Sequence, residues 1–348
     1  MKIRITRRQD ASKTSEMTES VLGTKPVLAL LTRLLWAAMV VLTVFGAQAG
    51  AVFTSLYSFT GTNDGANPQA GLVQGRDGYF YGTTAPENTS SGYGTVFKIS
   101  GNGGLTTLYS FTGGDDGASP LASLVLGSDG NFYGTTYSGG IYTNGTVFKI
   151  TSNGVMTSLY SFTGPNDGAN PLAALMQARD GNFYGTTSGG GTTNYDSFTG
   201  NYGFGTVFKI STNGALTTLY TFGTWVTNEF GYGLDGAYPR AGLVQWSDGS
   251  LYGTTAIGGV NTEGSLFEIS TNGALTLLYS FGGDNGSGVM PEAALVLGSD
   301  GSFYGTTANG PPYAGVFAGG RPDRHLVHLQ PRIGGGQLLC LICIFRRQ

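Results

Sequence analysis

The stretch Tyr79-Phe-Tyr-Gly-Thr-Thr84 decides the fold of this chain of 348 residues. Closely similar stretches begin at Asn131, Asn182, Ser250 and Ser302, and each of the five follows an Asp-Gly pair. The successive spacings are 52, 51, 68 and 52 residues. Self-similarity at a period near fifty residues indicates a repeat architecture, which takes precedence over any estimate of domain number from chain length.

Each repeat contains four short segments that favour β-strands. In the first repeat these segments are residues 70–74, 79–84, 94–100 and 105–111. Asp77-Gly78 joins the first two segments and Asn102-Gly103 joins the last two. Such dipeptides favour tight hairpin turns because their residues tolerate positive φ. No segment of the array indicates a helix of useful length.

We therefore expect an all-β protein, a β-propeller built from about five four-stranded antiparallel repeats. The first strand of each repeat is small and apolar, which suits a crowded central axis, and aromatic residues dominate the second and fourth strands. The segment Leu56-Tyr-Ser-Phe59 has the sequence of a fourth strand without the preceding three. It would close the ring by completing the last blade. A β-solenoid is the alternative, although fifty residues is long for one coil.

The chain divides into three segments. Residues 1–49 have a long basic start, an apolar core at 34–45 and a closing Ala47-Gln-Ala49, which together indicate a signal peptide with an extended n-region. A membrane anchor is the alternative, but the apolar core is shorter than the ~20 residues of a spanning helix. Residues 50–317 form the five-repeat array. In the fifth repeat the Lys-Ile expected after Phe317 is missing, so residues 318–348 indicate an aberrant tail, disordered or frameshifted. A C-terminal sorting tail is the alternative for this last segment.

The charge and residue types of the array exclude several classes of function. Residues 51–317 hold six Lys or Arg and seventeen acids, a net charge of 6 − 17 = −11, which predicts no binding to nucleic acid. They contain no His and no Cys, which excludes a Ser-His-Asp triad, a Cys-His pair and a His-ligated metal within them. Paired carboxylates remain possible for glycoside chemistry. Most acids, however, are turn residues that recur in every repeat, which favours a protein that is not an enzyme.

Two loops differ most in length between repeats, residues 189–204 after a second strand and residues 223–239 after a fourth strand. Loops on a repeat scaffold often form its binding face. Neutral variation of loop length is the alternative. We expect aromatic side chains of these loops to contact a ligand, namely Trp225, Phe230, Tyr232, Tyr238, Tyr195 and Tyr202.

An aspartate recurs in the loop before the first strand of each repeat. The five residues are Asp64, Asp116, Asp167, Asp235 and Asp284. Carboxylates on tight turns can hold Ca²⁺, yet Asp-Gly is also what tight turns require for backbone reasons alone. No complete calcium-binding loop is present in the sequence. We therefore expect no cofactor and a turn role for these residues, with calcium as the alternative.

The ordered series Gly-x-Phe-Tyr-Gly-Thr-Thr, loop, Gly-Thr-Val-Phe-Lys-Ile-Ser, Asn-Gly, Leu-Thr-Thr-Leu-Tyr-Ser-Phe resembles the bacterial GloVer tandem repeat over residues 52–317. The resemblance implies an exported β-propeller-like protein with a varying C-terminal anchor and no established activity. This chain departs from that pattern because no recognisable anchor follows the array.

The composition and the resemblance together predict a binding or surface-interaction module. We expect it in the extracellular space, at the cell surface or in the periplasm, with a glycan or protein as ligand. Contact with a membrane is expected only through the signal segment. The alternative is a polysaccharide hydrolase or lyase that uses carboxylates at one end of the propeller.

Overall fold

The computed structural model describes residues 53–86, 92–192, 195–196, 201–223, 232–282, 288–299, 301–309 and 325–329. The chain separates into two compact units, residues 1–55 and residues 56–348. Only residues 53–55 of the first unit are described, so the expected signal peptide lies outside the described residues. Within the described ranges, no helix is long and apolar enough to cross a membrane.

The repeats fold into separate antiparallel sheets. The first sheet contains β1 (Val73–Gln74), β2 (Phe80–Thr84), β3 (Thr95–Ile99) and β4 (Leu105–Ser110), in that order. The second contains β5 (Val125–Leu126), β6 (Phe132–Thr136), β7 (Thr146–Ile150) and β8 (Met156–Ser161). The third contains β9 (Met176–Gln177), β10 (Phe183–Thr187), β13 (Thr206–Ile210) and β14 (Leu216–Thr221), and a small hairpin of β11 (Tyr195–Asp196) and β12 (Asn201–Tyr202) interrupts it in sequence.

The last two repeats follow the same order. The fourth sheet contains β15 (Val244–Gln245), β16 (Leu251–Thr255), β17 (Ser265–Ile269) and β18 (Leu275–Ser280). The fifth contains three strands in the described residues: β19 (Val296–Leu297), β20 (Phe303–Thr307) and β21 (His325–Leu329). Each repeat thus forms a sheet of its own instead of adding one strand to a continuous sheet. The expected β-propeller of about five repeats is confirmed, and the solenoid is not the architecture.

Neighbouring blades pack through the aromatic residues that recur in the second strand. The ring of Tyr81 stacks on Phe132 of the next blade with centroids 4.0 Å apart, and Tyr133 stacks on Phe183 at the same distance. Farther from the axis, Phe111 meets Phe148 edge to face at 5.2 Å. The Phe-Tyr pair therefore recurs because one ring faces the preceding blade and the other faces the following blade.

The Gly-Thr-Thr part of the motif also has packing reasons. A Cβ added at Gly82 would lie 2.6 Å from Leu72 and 2.7 Å from the ring of Phe97, so only glycine fits there. The hydroxyls of Thr84 and Thr95 are buried and 2.8 Å apart. Equivalent hydroxyl pairs recur in the next three blades, where two buried polar groups satisfy each other.

The first strand of each blade is shorter than the sequence predicts, two residues instead of about five. The preceding residues bond to the neighbouring blade instead of to their own sheet. Thr83 donates its hydroxyl to the carbonyl of Ala122 at 3.1 Å, and Thr135 does the same to Ala173 at 3.3 Å. The backbone groups nearest the axis are therefore partly satisfied between blades, which periodicity within one strand does not reveal.

The two ends of the array differ from expectation. Residues 56–59 are described but form no strand, and in the described residues they do not complete the last sheet. Phe59 nevertheless packs edge to face on Phe97 at 5.2 Å, the contact that Phe111 makes with Phe148. At the other end, β21 lies in the segment expected to be an aberrant tail outside the array. It pairs with all five residues of β20, from Phe303↔Leu329 to Thr307↔His325, and so takes the place of a third strand.

Candidate functional site

The antiparallel order of the strands gives the propeller two different ends. The loops after the second strand and after the fourth strand of each repeat meet at one end, which we call the loop face. Isolated bridges join these two kinds of loop, as in Ala118↔Ser138, Ala169↔Gly189 and Ala237↔Ile257. The tight turns after the first and third strands form the opposite end, which we call the turn face. The length variation of the repeats falls on the loop face, so this end is the candidate functional site.

The loop after β6 presents two large apolar side chains to solvent. Ile141 is 64% exposed and Tyr142 is 52% exposed. The loop is held in shape, because the amide of Ile141 donates to the hydroxyl of Ser161 at 2.8 Å and Thr143 adopts a φ of 62°. The loop therefore holds two exposed apolar side chains in a fixed geometry, which makes it a candidate contact surface.

The fourth repeat carries the same loop with different side chains. Val260, which is 64% exposed, stands where the second repeat has Ile141, and Asn261 stands where it has Tyr142. The conformation is similar, since Thr262 has a φ of 69° and the loop again binds the serine that ends the fourth strand. Here the amide of Asn261 donates to Ser280 at 3.1 Å, one position later than in the second repeat. The scaffold is thus constant while its presented side chains change.

Tyr238 does not lie on the ligand surface that the sequence predicts. It is 2% exposed and belongs to a core cluster with Phe204 and Phe222. Its amide donates to the carbonyl of Phe204 at 2.8 Å, and its own carbonyl accepts from Ala256 at 3.0 Å. These bonds hold the residue at a φ of 56° and turn its ring inward. Tyr238 is therefore a core residue, and the prediction of a contact role for it is wrong.

The other predicted aromatics take different places. Tyr232 is half-buried, with its ring centroid 6.1 Å from that of Phe204. Tyr195 and Tyr202 are register partners in β11 and β12, the hairpin that extends the loop face of the third repeat. Trp225 and Phe230 lie outside the described residues.

The proposed calcium ligands are occupied by bonds within their own loops. Asp64 accepts the hydroxyl of Tyr57 at 2.9 Å and both the amide and the hydroxyl of Thr60, at 2.8 and 2.7 Å. The bonds from Thr60 lower the pKa of Asp64 to about 2. The same contacts recur around Asp116 and Asp167, with the tyrosines seven residues earlier in sequence.

The remaining two calcium candidates are Asp235 and Asp284. Asp235 accepts the hydroxyl of Tyr220 at 2.7 Å, and Asp284 lies outside the described residues. Across the described ranges, no group of three His, Cys, Asp or Glu side chains is placed to hold a metal ion. The four described aspartates lie in four separate blade loops, where each accepts hydrogen bonds from its own repeat.

A second set of Tyr–Asp bonds stabilises the turn face. Asp129 accepts the hydroxyl of Tyr133 at 2.8 Å, and Asp180 accepts that of Tyr184 at 2.8 Å. Burial raises the pKa of Asp129, but the bonds from Asn131 and Tyr133 outweigh it and the pKa is lowered. Sequence reasoning missed both sets of bonds. The signal was present, since a tyrosine recurs four residues after one aspartate and seven residues before the other in several repeats.

The recurring residues thus contact one another within the fold, and their order along the chain is characteristic of a repeat family. The model of the Gloeobacter/Verrucomicrobia repeat matches residues 43–230 and 195–317. The chain belongs to the Gloeobacter/Verrucomicrobia repeat family. In this repeat protein the matched segments include the four complete blades and end before β21.

Comparison with solved structures gives more distant likenesses to this Gloeobacter/Verrucomicrobia repeat protein. The periplasmic gluconolactonase of Pseudomonas aeruginosa is 15% identical, with 84% of this chain and 75% of that chain covered and a TM-score of 0.47. A gluconolactonase from Xanthomonas campestris is 13% identical, with 78% and 76% covered and a TM-score of 0.44. At this level of likeness no activity is transferred. Among curated proteins, none matches the sequence.

Glu263 is one of the carboxylates on the loop face of this repeat protein that have no counterpart in the other complete repeats. Glu263 stands where the other complete repeats have Tyr93, Asn144 and Phe204. It is half-buried beside Gly282, where an added Cβ would lie 2.8 Å from the Glu263 Cγ. Burial raises the pKa of this carboxyl. Sequence reasoning missed it because its surroundings come from a loop distant in sequence.

Proposed function

We propose that this chain is exported and acts as a binding or surface-interaction module that holds a glycan or a protein on its loop face. The observation that carries the proposal is the exposure of Ile141 and Tyr142 on a loop with fixed geometry. The recurring aromatic, threonine and aspartate residues serve the fold, which leaves binding to the side chains that vary. Export rests on the apolar core and the Ala47-Gln-Ala49 site of residues 1–49.

The chemistry of the loop face favours a neutral ligand. A tyrosine ring offers a flat apolar surface with a polar edge, which suits the alternating character of a sugar ring or a peptide surface. Residues 51–317 carry a net charge of −11, so a polyanion would be repelled. Trp225 and Phe230, together with the hairpin residues Tyr195 and Tyr202, belong to the same proposed surface.

The proposal is tested by screening the full chain against neutral polysaccharides and repeating the positive cases with two variants. Tyr142→Ala should weaken binding by about two- to tenfold, since stacking on an aromatic ring contributes ~0.5–1.5 kcal/mol. Val155→Ala is the matched control, because Val155 is 61% exposed in the turn that leads into β8 on the turn face. Equal effects of both substitutions, or no effect of either, would contradict a ligand site on the loop face.

Glu263 supports a second candidate function, a hydrolase or lyase acting on polysaccharides. A carboxyl with a raised pKa stays protonated nearer neutral pH, as a general acid requires. The test is release of products from each polysaccharide that binds. Glu263→Gln should abolish release and leave binding intact if this function is correct. Binding without any product from the unmodified chain would remove it.

A further inference from the structure

The interfaces between blades are all built in the same way. We call the face of a blade toward the following repeat its front and the opposite face its rear. In the second interface, Tyr133 and Val147 on the front of one blade pack with Leu175, Phe183 and Phe208 on the rear of the next. The rear leucine is buried at every interface of this kind, with exposures of 3% to 7% for Leu124, Leu175, Leu243 and Leu295.

The rear of the first blade is only half covered. Leu72 occupies the same repeat position as those buried leucines but is 52% exposed, and Phe80 is half-exposed where Phe132 and Phe183 are buried. The outer half of the same face is covered, because Phe59 packs on Phe97, which is 3% exposed. The uncovered part is therefore the inner half, which would meet the first two strands of a preceding blade.

The front of the last blade is open in the complementary way. Val296 is 65% exposed, whereas Val125, Met176 and Val244 at the same repeat position are half-buried. In the described residues its sheet ends at β21, while the four preceding sheets each have a fourth strand outside the third. An open sheet edge beside an exposed apolar face favours addition of a strand from a partner.

The segment that fits this edge is present at the start of the array. Leu56-Tyr-Ser-Phe59 has the same sequence as Leu108-Tyr-Ser-Phe111, which includes the end of the fourth strand β4. It already makes two contacts typical of a fourth strand, the bond from Tyr57 to Asp64 in the loop that follows it and the ring contact of Phe59 with Phe97 of the first blade. It lacks a third strand beside it among the described residues, and the last blade has a third strand without a fourth.

We propose that a second copy of this chain fills these positions. The front of the last blade of one copy packs on the rear of the first blade of the next, and residues 56–59 of that next copy complete the last sheet as its fourth strand. The rear of the first blade and the front of the last blade do not cover each other, because Leu72 and Val296 are both exposed in a single copy. A second copy offers both halves of an interface that the chain already forms between its blades. The contact is head to tail and heterologous.

The test compares the full chain with single variants by light scattering during size-exclusion chromatography. The unmodified chain should have at least twice the mass of a monomer, with a mass that rises with concentration. Leu72→Glu blocks the rear face and Val296→Glu blocks the front face, so each variant alone should be a monomer. Val155→Glu, an exposed site on the turn face, should behave as the unmodified chain does.

Mixing the two monomeric variants distinguishes this assembly from any other. Each variant keeps the face that the other has lost, so an equimolar mixture should form dimers and nothing larger. A thermal melt of each variant checks that it is folded, and Val296→Glu carries the test of assembly alone if Leu72→Glu does not melt cooperatively. The proposal is overturned by a monomeric unmodified chain at all concentrations, by assembly that survives Val296→Glu, or by two folded monomeric variants that do not associate.

Discussion

Tyr133 and Phe183 stack across the interface between the second and third blades with their ring centroids 4.0 Å apart. The same tyrosine donates its hydroxyl to Asp129 at 2.8 Å and so ties the Asp-Gly turn to the second strand. One residue thus links a turn, a strand and the neighbouring blade. This explains why the Phe-Tyr pair and the Asp-Gly pair recur together without any catalytic role.

The first prediction concerns the stacked rings. Phe183→Ala should lower the free energy of unfolding by about 3–5 kcal/mol, because a buried ring is lost from a close-packed interface. Phe80→Ala changes the same repeat position in the first blade, where the ring is only half-buried, and should cost about 1–2 kcal/mol because less apolar surface is buried there. Denaturant unfolding at low chain concentration measures both. Equal costs would contradict the account of the first blade's open rear face.

The second prediction isolates the hydroxyl of Tyr133. Tyr133→Phe keeps the ring stacking but removes a bond to a carboxylate, which should lower the free energy of unfolding by about 1.5–3 kcal/mol. Tyr142→Phe removes the hydroxyl of a tyrosine that is 52% exposed and should change stability by less than about 0.5 kcal/mol. Thermal or urea melts of the pair give the comparison. A cost for Tyr142→Phe as large as that for Tyr133→Phe would show that the Tyr–Asp bond is not the cause.

The third prediction separates lack of space from backbone strain at two glycines with positive φ. Gly168 has a φ of 108°, and an added Cβ would overlap the Thr187 hydroxyl and lie 2.6 Å from the Thr206 Oγ1. Gly181 has a φ of 83° with nothing within 4 Å of an added Cβ. Gly181→Ala should therefore cost only the ~1–2 kcal/mol of a left-handed non-glycine residue. Gly168→Ala should cost more than that, and a similar loss of stability for both variants would refute the packing of this loop on the buried hydroxyl pair.

The fourth prediction is a loss of stability at alkaline pH. Burial, followed by the hydrogen bond to Asp116, raises the pKa of Tyr109 to about 12. The unfolded value is near ~10, so the stabilisation is fully present below pH ~10 and is lost as the pH rises toward 12. Stability measured between pH 9 and pH 12 should fall less steeply for Tyr109→Phe than for the unmodified chain. Identical slopes would contradict the tyrosine as a titrating group of the fold.

The strands of each repeat could be predicted because their signals are local. Asp77-Gly78 and Asn102-Gly103 fix two hairpins, and the segments they join contain β2, β3 and β4 within one residue of the expected ends. The first strand is shorter than predicted because the residues before it bond to a threonine of the neighbouring blade. That partner is about forty residues away in sequence, and no pattern within the strand points to it.

The candidate site was harder to predict from the sequence than the strands. Tyr238 has the sequence surroundings of an exposed loop aromatic, yet its amide and carbonyl are bonded to two distant segments that turn the ring into the core. The strand β21 was missed because His325-Leu-Val-His-Leu329 does not resemble Thr-Val-Phe-Lys-Ile, although apolar residues stand at the same three register positions. In both cases the residue types differ from those at the same position of the other repeats, and contacts with residues distant in sequence determine the structure.

We propose that the varying loop face binds a ligand while the recurring residues build the scaffold. Hydrogen exchange of the full chain, with and without a polysaccharide that binds in the screen, tests it most directly. The ligand should slow exchange in residues 138–144 and 257–263 on the loop face and leave the turns at 151–155 and 211–215 unchanged. Protection confined to those turns would contradict it.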